Sequence, residues 1–166
     1  MRKIGITLFL ILVILATAQQ QGAQLPVQEL KTFCSSADVD ALIAKAKMER
    51  KEGQAIVSEH VLQLSPYNAN LEYRASVGNA AIHEKEAELM YVIEGSGTIV
   101  IGGTLVGQTR PNPSNLSGSA INDGRPQRIA KGDFVFVPEN TAHWISAIDG
   151  HLVLVTLHVP RPVSTP

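Results

Sequence analysis

Short apolar runs separated by turn-forming residues fill the sequence from residue 55 onward, and this pattern constrains the fold more than any other feature. The runs are rich in Val, Ile and Leu, whereas Gly, Pro, Asn and Asp occupy the intervals between them. Such runs predict β-strands, and a series of them predicts an all-β barrel or sandwich. The predicted strands are Ala55–Leu64, Asn70–Val77, Glu88–Ile93, Thr98–Ile101, Phe134–Val137 and Leu152–Val159.

Two segments of this region need separate interpretation. Residues 107–126 contain many turn formers and few large apolar side chains, so we expect a long loop across one end of the fold. Residues 80–90 consist of good helix formers, and composition alone allows a helix there. On a helix, His83 and Glu88 would point in different directions, whereas a strand, a tight turn and a returning strand would let them face each other. The conformation of this segment therefore decides whether the two side chains can share a site.

One helix is well marked before the predicted strands. Ser35 and Asp38 match the capping-box pattern, apolar side chains follow at helical spacing, and Gly53 supplies a stop after a basic last turn. These features predict an amphipathic α-helix over residues 35–53. The other predicted segments are a linker over 19–34, a barrel domain over 54–160 and a C-terminal tail over 161–166.

The N-terminal residues differ in composition from the rest of the chain. Arg2 and Lys3 precede an apolar run from Ile4 to Ala16, and small residues at Ala16–Ala18 stand where a signal peptidase would cleave. The apolar run is short for a membrane-spanning helix, which needs about 20 residues. We therefore favour a secretory signal peptide over residues 1–18 and expect an exported protein, periplasmic or extracellular, with no membrane association after cleavage.

Composition excludes several classes of partner and chemistry. With 166 residues, 45% of them hydrophobic, the chain suits one domain with a real core. The net charge is −1 without a block of like charges, which argues against nucleic acid or anionic lipid as a partner. A single cysteine, Cys34, cannot close an internal disulfide, and we expect it to be a half-buried apolar residue. No Gly-x-Ser-x-Gly motif supports a serine hydrolase.

The pair His83-Glu84 invites comparison with the zinc-protease helix, but that motif is absent. Such a helix carries a second histidine four residues after the first, and here that position is Ala87. Any metal site around His83 must therefore be built from strands rather than from one helix face.

Two motifs occur in a fixed order along the predicted barrel. The first, "AIHEKEAELMYVIEG", contains His83, then Glu88, then Gly95. The second, "GDFVFVPENTAHWISA", runs from Gly132 through a proline to His143. In this order and spacing the sequence resembles the cupins over most of the predicted barrel.

The resemblance implies both a fold and a ligand set. The cupin fold is a double-stranded β-helix, a jelly-roll barrel, and the family leans towards homodimers. His83, Glu88 and His143 match the family's metal ligands, and two neutral imidazoles with one carboxylate suit a divalent transition ion such as Zn, Mn, Fe, Ni or Cu. Ala81 stands where cupins with four protein ligands carry another histidine. This substitution leaves an extra open coordination position or a weaker site.

Three further residues are candidates for binding a small-molecule ligand. Arg74 would bind a carboxylate if it faced inward, although an arginine at a strand end is commonly ion-paired or solvated. Met90 shares the face of Glu88 by strand alternation and would line the pocket. His158 would reach the barrel mouth as a substrate or outer-shell group, or lie on the surface at the strand end.

Three functions are compatible with these residues. In the first, the protein binds a divalent metal and a small polar molecule and uses the metal for catalysis. In the second, it binds such a molecule without converting it. In the third, it is a structural cupin without metal. The ligand side chains discriminate among these hypotheses, because a metal requires their tips to converge on one point.

Overall fold

A computed structural model describes residues 30–161 of the chain. The predicted signal peptide, the linker up to residue 29 and the tail from residue 162 lie outside the described residues. Within them, one helix precedes eleven strands. The elements are α1 (Ser36–Glu49), β1 (Ile56–Leu64), β2 (Tyr67–Arg74), β3 (Ala80–His83), β4 (Glu86–Ile101), β5 (Thr104–Val106), β6 (Thr109–Asn112), β7 (Asn115–Gly118), β8 (Ala120–Asn122), β9 (Arg125–Ala130), β10 (Phe134–Val137) and β11 (His143–Pro160).

The helix begins at the residues that the sequence predicted and ends earlier. The Ser35 hydroxyl accepts a hydrogen bond from the Asp38 backbone N–H at 3.1 Å, and the Asp38 carboxylate accepts one from the Ser35 N–H at 2.9 Å. The predicted capping box is therefore confirmed. Helical structure ends at Glu49, and Gly53, with φ of 75°, lies in the turn that follows.

Two long strands organise the sheet. β4 and β11 pair antiparallel from Glu86 opposite Pro160 to Ile101 opposite His143. The register shifts three times along this pairing, and such bulges increase the bend and twist of a strand. β4 also pairs with β9 and β10, and β11 also pairs with β2 and β3. The two strands thus take part in most of a nine-stranded sheet, while β5 and β8 form a separate two-stranded sheet.

Residues 80–90 form strand, turn and strand rather than a helix. β3 ends at His83, the chain bends over the next two residues, and β4 begins at Glu86. β3 pairs with β7, and β4 pairs with β11, so backbone hydrogen bonds to distant strands override the local helix propensity.

The expectation of a long loop over residues 107–126 was wrong. This region contains β6, β7 and β8, and β7 pairs with β3 from Ala80 opposite Gly118 to His83 opposite Asn115. β6 is exposed throughout, and β7 and β8 are largely half-buried. Because backbone hydrogen bonds hold these short strands, they carry little of the apolar periodicity that predicts strands from sequence.

Separate apolar clusters occupy the two sides of the sheet. One fills the barrel interior around Met90, Val92, Ile99 and Leu154. A second packs α1 through Ile43 against the outer side of the sheet, with Cys34 partly buried at its edge. The half-buried apolar role expected for Cys34 is confirmed. No helix within the described residues has the length and apolarity needed to span a membrane.

Candidate metal centre

A buried carboxylate stands at the centre of the candidate site. Glu88 lies on β4 with only 4% of its surface exposed, although a charged side chain is rarely buried without partners. Strand alternation places Glu86, Glu88 and Met90 on one face of β4. Glu88 and Met90 line a cavity of about 560 Å³, within the size range of small-molecule sites.

Three imidazoles surround this carboxylate. The Nε2 atoms of His143 and His83 lie 3.0 Å and 3.5 Å from Glu88 Oε2. Nε2 of His158 lies 3.8 Å from Oε1, the other oxygen of the Glu88 carboxylate. The rings of His143 and His158 stand 5.2 Å and 4.8 Å from the ring of His83, measured between centroids. Histidines from β3 and from both ends of β11 therefore meet at a residue of β4.

The other ring nitrogen of each histidine faces an acceptor. Nδ1 of His83 is 2.8 Å from the Asn115 side-chain oxygen, and Nδ1 of His143 is 3.2 Å from the Thr141 carbonyl oxygen. These acceptors favour the tautomer with the proton on Nδ1, which leaves the Nε2 lone pair directed at Glu88. Metal-binding histidines are commonly oriented in this way by a second hydrogen bond.

The electrostatics of the site keep the carboxylate ionised. Burial alone would raise the pKa of Glu88, but the imidazoles of His143 and His83 outweigh burial and hold that pKa well below its usual range. Burial would likewise lower the pKa of His83, yet Glu88 and Asn115 raise it above its usual value. The site therefore favours positive charge next to Glu88, which a proton or a metal ion can supply.

One observation tests whether these residues fit a metal. Glu88 Oε2 is buried and has no hydrogen-bond partner, even though two Nε2 atoms are close to it. An orphaned buried carboxylate oxygen is costly unless a cation compensates it. Ligand atoms of His83, Glu88 and His158 lie within 4.8 Å of one another, so a small inward shift of these side chains would bring all three within bonding distance, about 2.1 Å, of a single ion. The donor set fits a divalent transition metal.

The predicted site residues all reach the cavity. His83, Glu88 and His143 converge there, and so does His158. Ala81 lines the same cavity and is the cross-strand neighbour of His143.

Arg74 and Met90 also line the cavity, but in different settings. Met90 is fully buried and packs into the barrel core. Arg74 is paired with Glu72, whose Oε2 lies 2.8 Å from Nε and 2.6 Å from Nη2. Arg74 is thus both inward-facing and ion-paired, two states that the sequence presented as alternatives.

Three polar residues of the site were missed by sequence reasoning. Asn115 belongs to the segment expected to be a loop, so no pattern indicated that it would orient His83. Glu86 lies two residues before Glu88 on the same strand face, and alternation could have placed it near the site. Glu72 precedes Arg74 by two residues, and the same rule predicts that their side chains share a face.

The remaining histidines and the exposed aromatic residues lie outside the group of candidate metal ligands around Glu88. His60 bonds to Asn70, and His151 contacts Glu94 and stacks on Tyr73. Tyr91, which follows Met90 on β4, is exposed and packs against Phe134.

Trp144, the residue after His143 on β11, lies at the border of the candidate site. It donates its indole N–H to the Gly78 carbonyl at 2.9 Å and borders the cavity. Its ring packs in a small apolar cluster with Leu105.

Comparison with known proteins agrees with this architecture. A cupin superfamily protein from Desulfitobacterium hafniense superposes with a TM-score of 0.51 at 17% identity, covering 81% of this chain and all of the other. The FeII form of HppE superposes with a TM-score of 0.50 at 12% identity, covering 66% of this chain and 53% of that chain. Likeness at such low identity concerns the fold alone.

Sequence comparison is more specific about family. No curated protein matches the chain significantly. The family model described as Cupin matches residues 58–162, well over half of the sequence, which agrees with the two motifs and with the barrel. The chain belongs to the cupin family.

Proposed function

We propose that this protein binds one divalent transition metal ion through His83, Glu88 and His143 and takes a small polar molecule into the adjoining cavity. The observation that carries the proposal is the orphaned, buried Oε2 of Glu88 facing two imidazole Nε2 atoms. Without a proton or a metal ion between these atoms, the arrangement sets two nitrogen lone pairs against a carboxylate oxygen. A metal would convert that repulsion into three bonds. The FeII form of HppE offers iron as one precedent on this fold.

The cavity suits a ligand that has more than one polar group. A metal held by His83, Glu88 and His143 would bind a carbonyl or hydroxyl oxygen, and the other charged groups that line the cavity are the ion-paired Arg74 and Glu72. Because Glu72 balances the charge of Arg74, the pair offers donors and an acceptor together. We propose a small hydroxy or keto compound, carboxylates included, as the ligand class. Apolar side chains, among them Ile56, Met90 and Ile145, also line the cavity.

Catalysis is the second element of the proposal. When bound, a divalent ion acts as a Lewis acid that polarises a carbonyl oxygen of the ligand. The protein's own residues would hold the ligand between the metal and Arg74 and orient it. A binding protein that does not convert its ligand remains the alternative, and turnover of small hydroxy and keto acids by metal-loaded protein distinguishes the two.

Export and dimerisation complete the proposed function. The N-terminal signal pattern supports cleavage near Ala18, which N-terminal sequencing of protein recovered outside the cytoplasm would test. An exposed aromatic patch, defined here as Tyr91, Phe134 and Phe136, supports a homodimer interface.

Elemental analysis of protein purified from its native compartment, without chelators, tests the metal proposal. We expect about one ion per chain in the wild type, and much less in His83→Ala and in the nearly isosteric Glu88→Gln. His60→Ala is the matched control, because His60 lies outside the cavity and bonds to Asn70. A wild-type content far below one ion per chain, unchanged in His83→Ala, would support the structural, metal-free alternative instead.

A further inference from the structure

The substitution at position 81 leaves the cupin ligand set incomplete. Ala81 lines the cavity next to His143, but its methyl group cannot bind a metal. Three protein ligands would then hold the ion, unless another side chain reaches it from elsewhere in the barrel.

His158 is the side chain that reaches this place. It pairs directly with Glu88 in the register of β11 and β4, and strand neighbours in register have their side chains on one face. Its Nε2 faces Glu88 Oε1 at 3.8 Å, and its ring meets the ring of His83 edge-on. His158, and not His143, completes the group of mutually close ligand atoms with His83 and Glu88. Its side chain is 17% exposed, about as enclosed as the 18% of His83.

A second carboxylate is positioned to orient this ring. Glu86 Oε1 lies 2.9 Å from His158 Nδ1 and 4.0 Å from His83 Nδ1. The His158 Nδ1 atom is buried and makes no well-aligned hydrogen bond in the present geometry, so a small rotation of either side chain would satisfy it. With Nδ1–H directed at Glu86, the Nε2 lone pair of His158 points towards Glu88. Carboxylate–histidine pairs of this kind commonly orient metal ligands.

We propose that His158 is a fourth protein ligand of the metal, supplied by β11 in place of the histidine missing at position 81 and oriented by Glu86. This inference rests on the proposed metal binding. It changes the role of His158 from a ligand-contacting group to a metal ligand, and it leaves the Ala81 side of the ion open to the cavity.

Metal affinity of the full chain, measured by competition with a chelating indicator dye for Zn²⁺, provides the first test. We expect His158→Ala to weaken Zn²⁺ binding by about 100-fold or more, and Glu86→Gln to weaken it by about 10-fold. The double variant Ala81→His/His158→Ala should recover most of the lost affinity, because it returns a histidine to the motif position. His60→Ala should match the wild type.

Spectroscopy of the unsubstituted protein makes the test independent of any folding defect in a variant. Pulsed EPR of the Cu²⁺-loaded wild type should detect three coordinated imidazoles, from His83, His143 and His158. Only two imidazoles in the wild type, or a His158→Ala variant with wild-type Zn²⁺ affinity, would overturn the assignment of His158 while leaving the metal proposal intact. A wild type that binds neither Zn²⁺ nor Cu²⁺ would overturn both.

Discussion

His143 and His158 occupy the two ends of the same strand, β11, yet both direct Nε2 at the carboxylate of Glu88, at 3.0 Å and 3.8 Å. A straight strand advances about 3.3 Å per residue and would carry the two rings far apart. The register shifts along β11 and its antiparallel pairing with β4 bring the ends together. The candidate site is therefore a product of strand curvature.

Opposite pH dependences are expected for stability and for metal binding. The pKa of His83 is raised above its reference value of 6.5, so its protonated form stabilises the metal-free fold below pH 6.5, and this contribution is lost as pH rises through the folded-state pKa. The pKa of Glu88 is lowered, so its contribution is present above its reference value of 4.5 and lost as pH falls through the folded-state pKa. Both Glu88 and His83 therefore stabilise the metal-free fold between pH 4.5 and pH 6.5.

A bound metal requires neutral His83, so metal affinity should fall by about tenfold per pH unit for each proton displaced, once pH drops below the raised pKa of His83. Urea denaturation of the metal-free protein and Zn²⁺ competition, both measured from pH 8 to pH 5.5, check the two trends. In His83→Gln the stability gain on acidification should shrink. Parallel rather than opposite trends would contradict this electrostatic description.

Substitutions at Arg74 and Glu72 should change ligand binding without changing metal content. Arg74→Gln removes charged donors from the cavity and should weaken binding of small keto and hydroxy acids to the metal-loaded protein by about 10- to 100-fold. Glu72→Gln leaves Arg74 unbalanced and should strengthen carboxylate binding. Isothermal titration calorimetry with a panel of such acids measures both changes. Equal affinities of the wild type, Arg74→Gln and Glu72→Gln would show that Arg74 does not contribute to ligand binding.

Alanine substitutions at the two motif glycines should have unequal costs. Gly95 has φ of 79°, and a Cβ there would lie 2.0 Å from the His151 carbonyl oxygen. Gly132 has φ of 94°, but a Cβ would meet nothing within 4 Å. Gly132→Ala should cost about 1–2 kcal/mol for its backbone conformation. Gly95→Ala should cost about 3 kcal/mol or more, because two paired strands must also separate. Urea denaturation compares them, and equal costs would show that β4 and β11 relax freely at Gly95.

The aromatic patch should mediate self-association. Phe134 and Phe136 are 68% and 59% exposed on β10, and Tyr91 packs against Phe134. The double variant Phe134→Ser/Phe136→Ser should be monomeric in light scattering coupled to size-exclusion chromatography, with little loss of unfolding free energy. Phe33→Ser, which changes an exposed phenylalanine before α1, serves as the control. A monomeric wild type at micromolar concentration would contradict the dimer proposal.

Local patterns predicted the elements that depend on local physics. The capping box at Ser35 and Asp38 and the strand Phe134–Val137 occur where the sequence indicated them. The resemblance to cupins predicted the barrel, and the residues that carry it, His83, Glu88 and His143, line one cavity in the structure. Local patterns gave the wrong prediction, a long loop, for residues 107–126, because β6 to β8 are held by backbone pairing rather than by an apolar face.

The sequence by itself determined the chemistry available to this protein: a carboxylate and imidazoles in a cupin framework, with alanine at position 81. The tertiary structure decided which of these groups meet. Asn115 orients His83 because β7 pairs with β3, and His158 reaches Glu88 because β11 bends along β4. Long-range strand pairing and curvature are set by the whole sheet, so a local sequence pattern does not contain them.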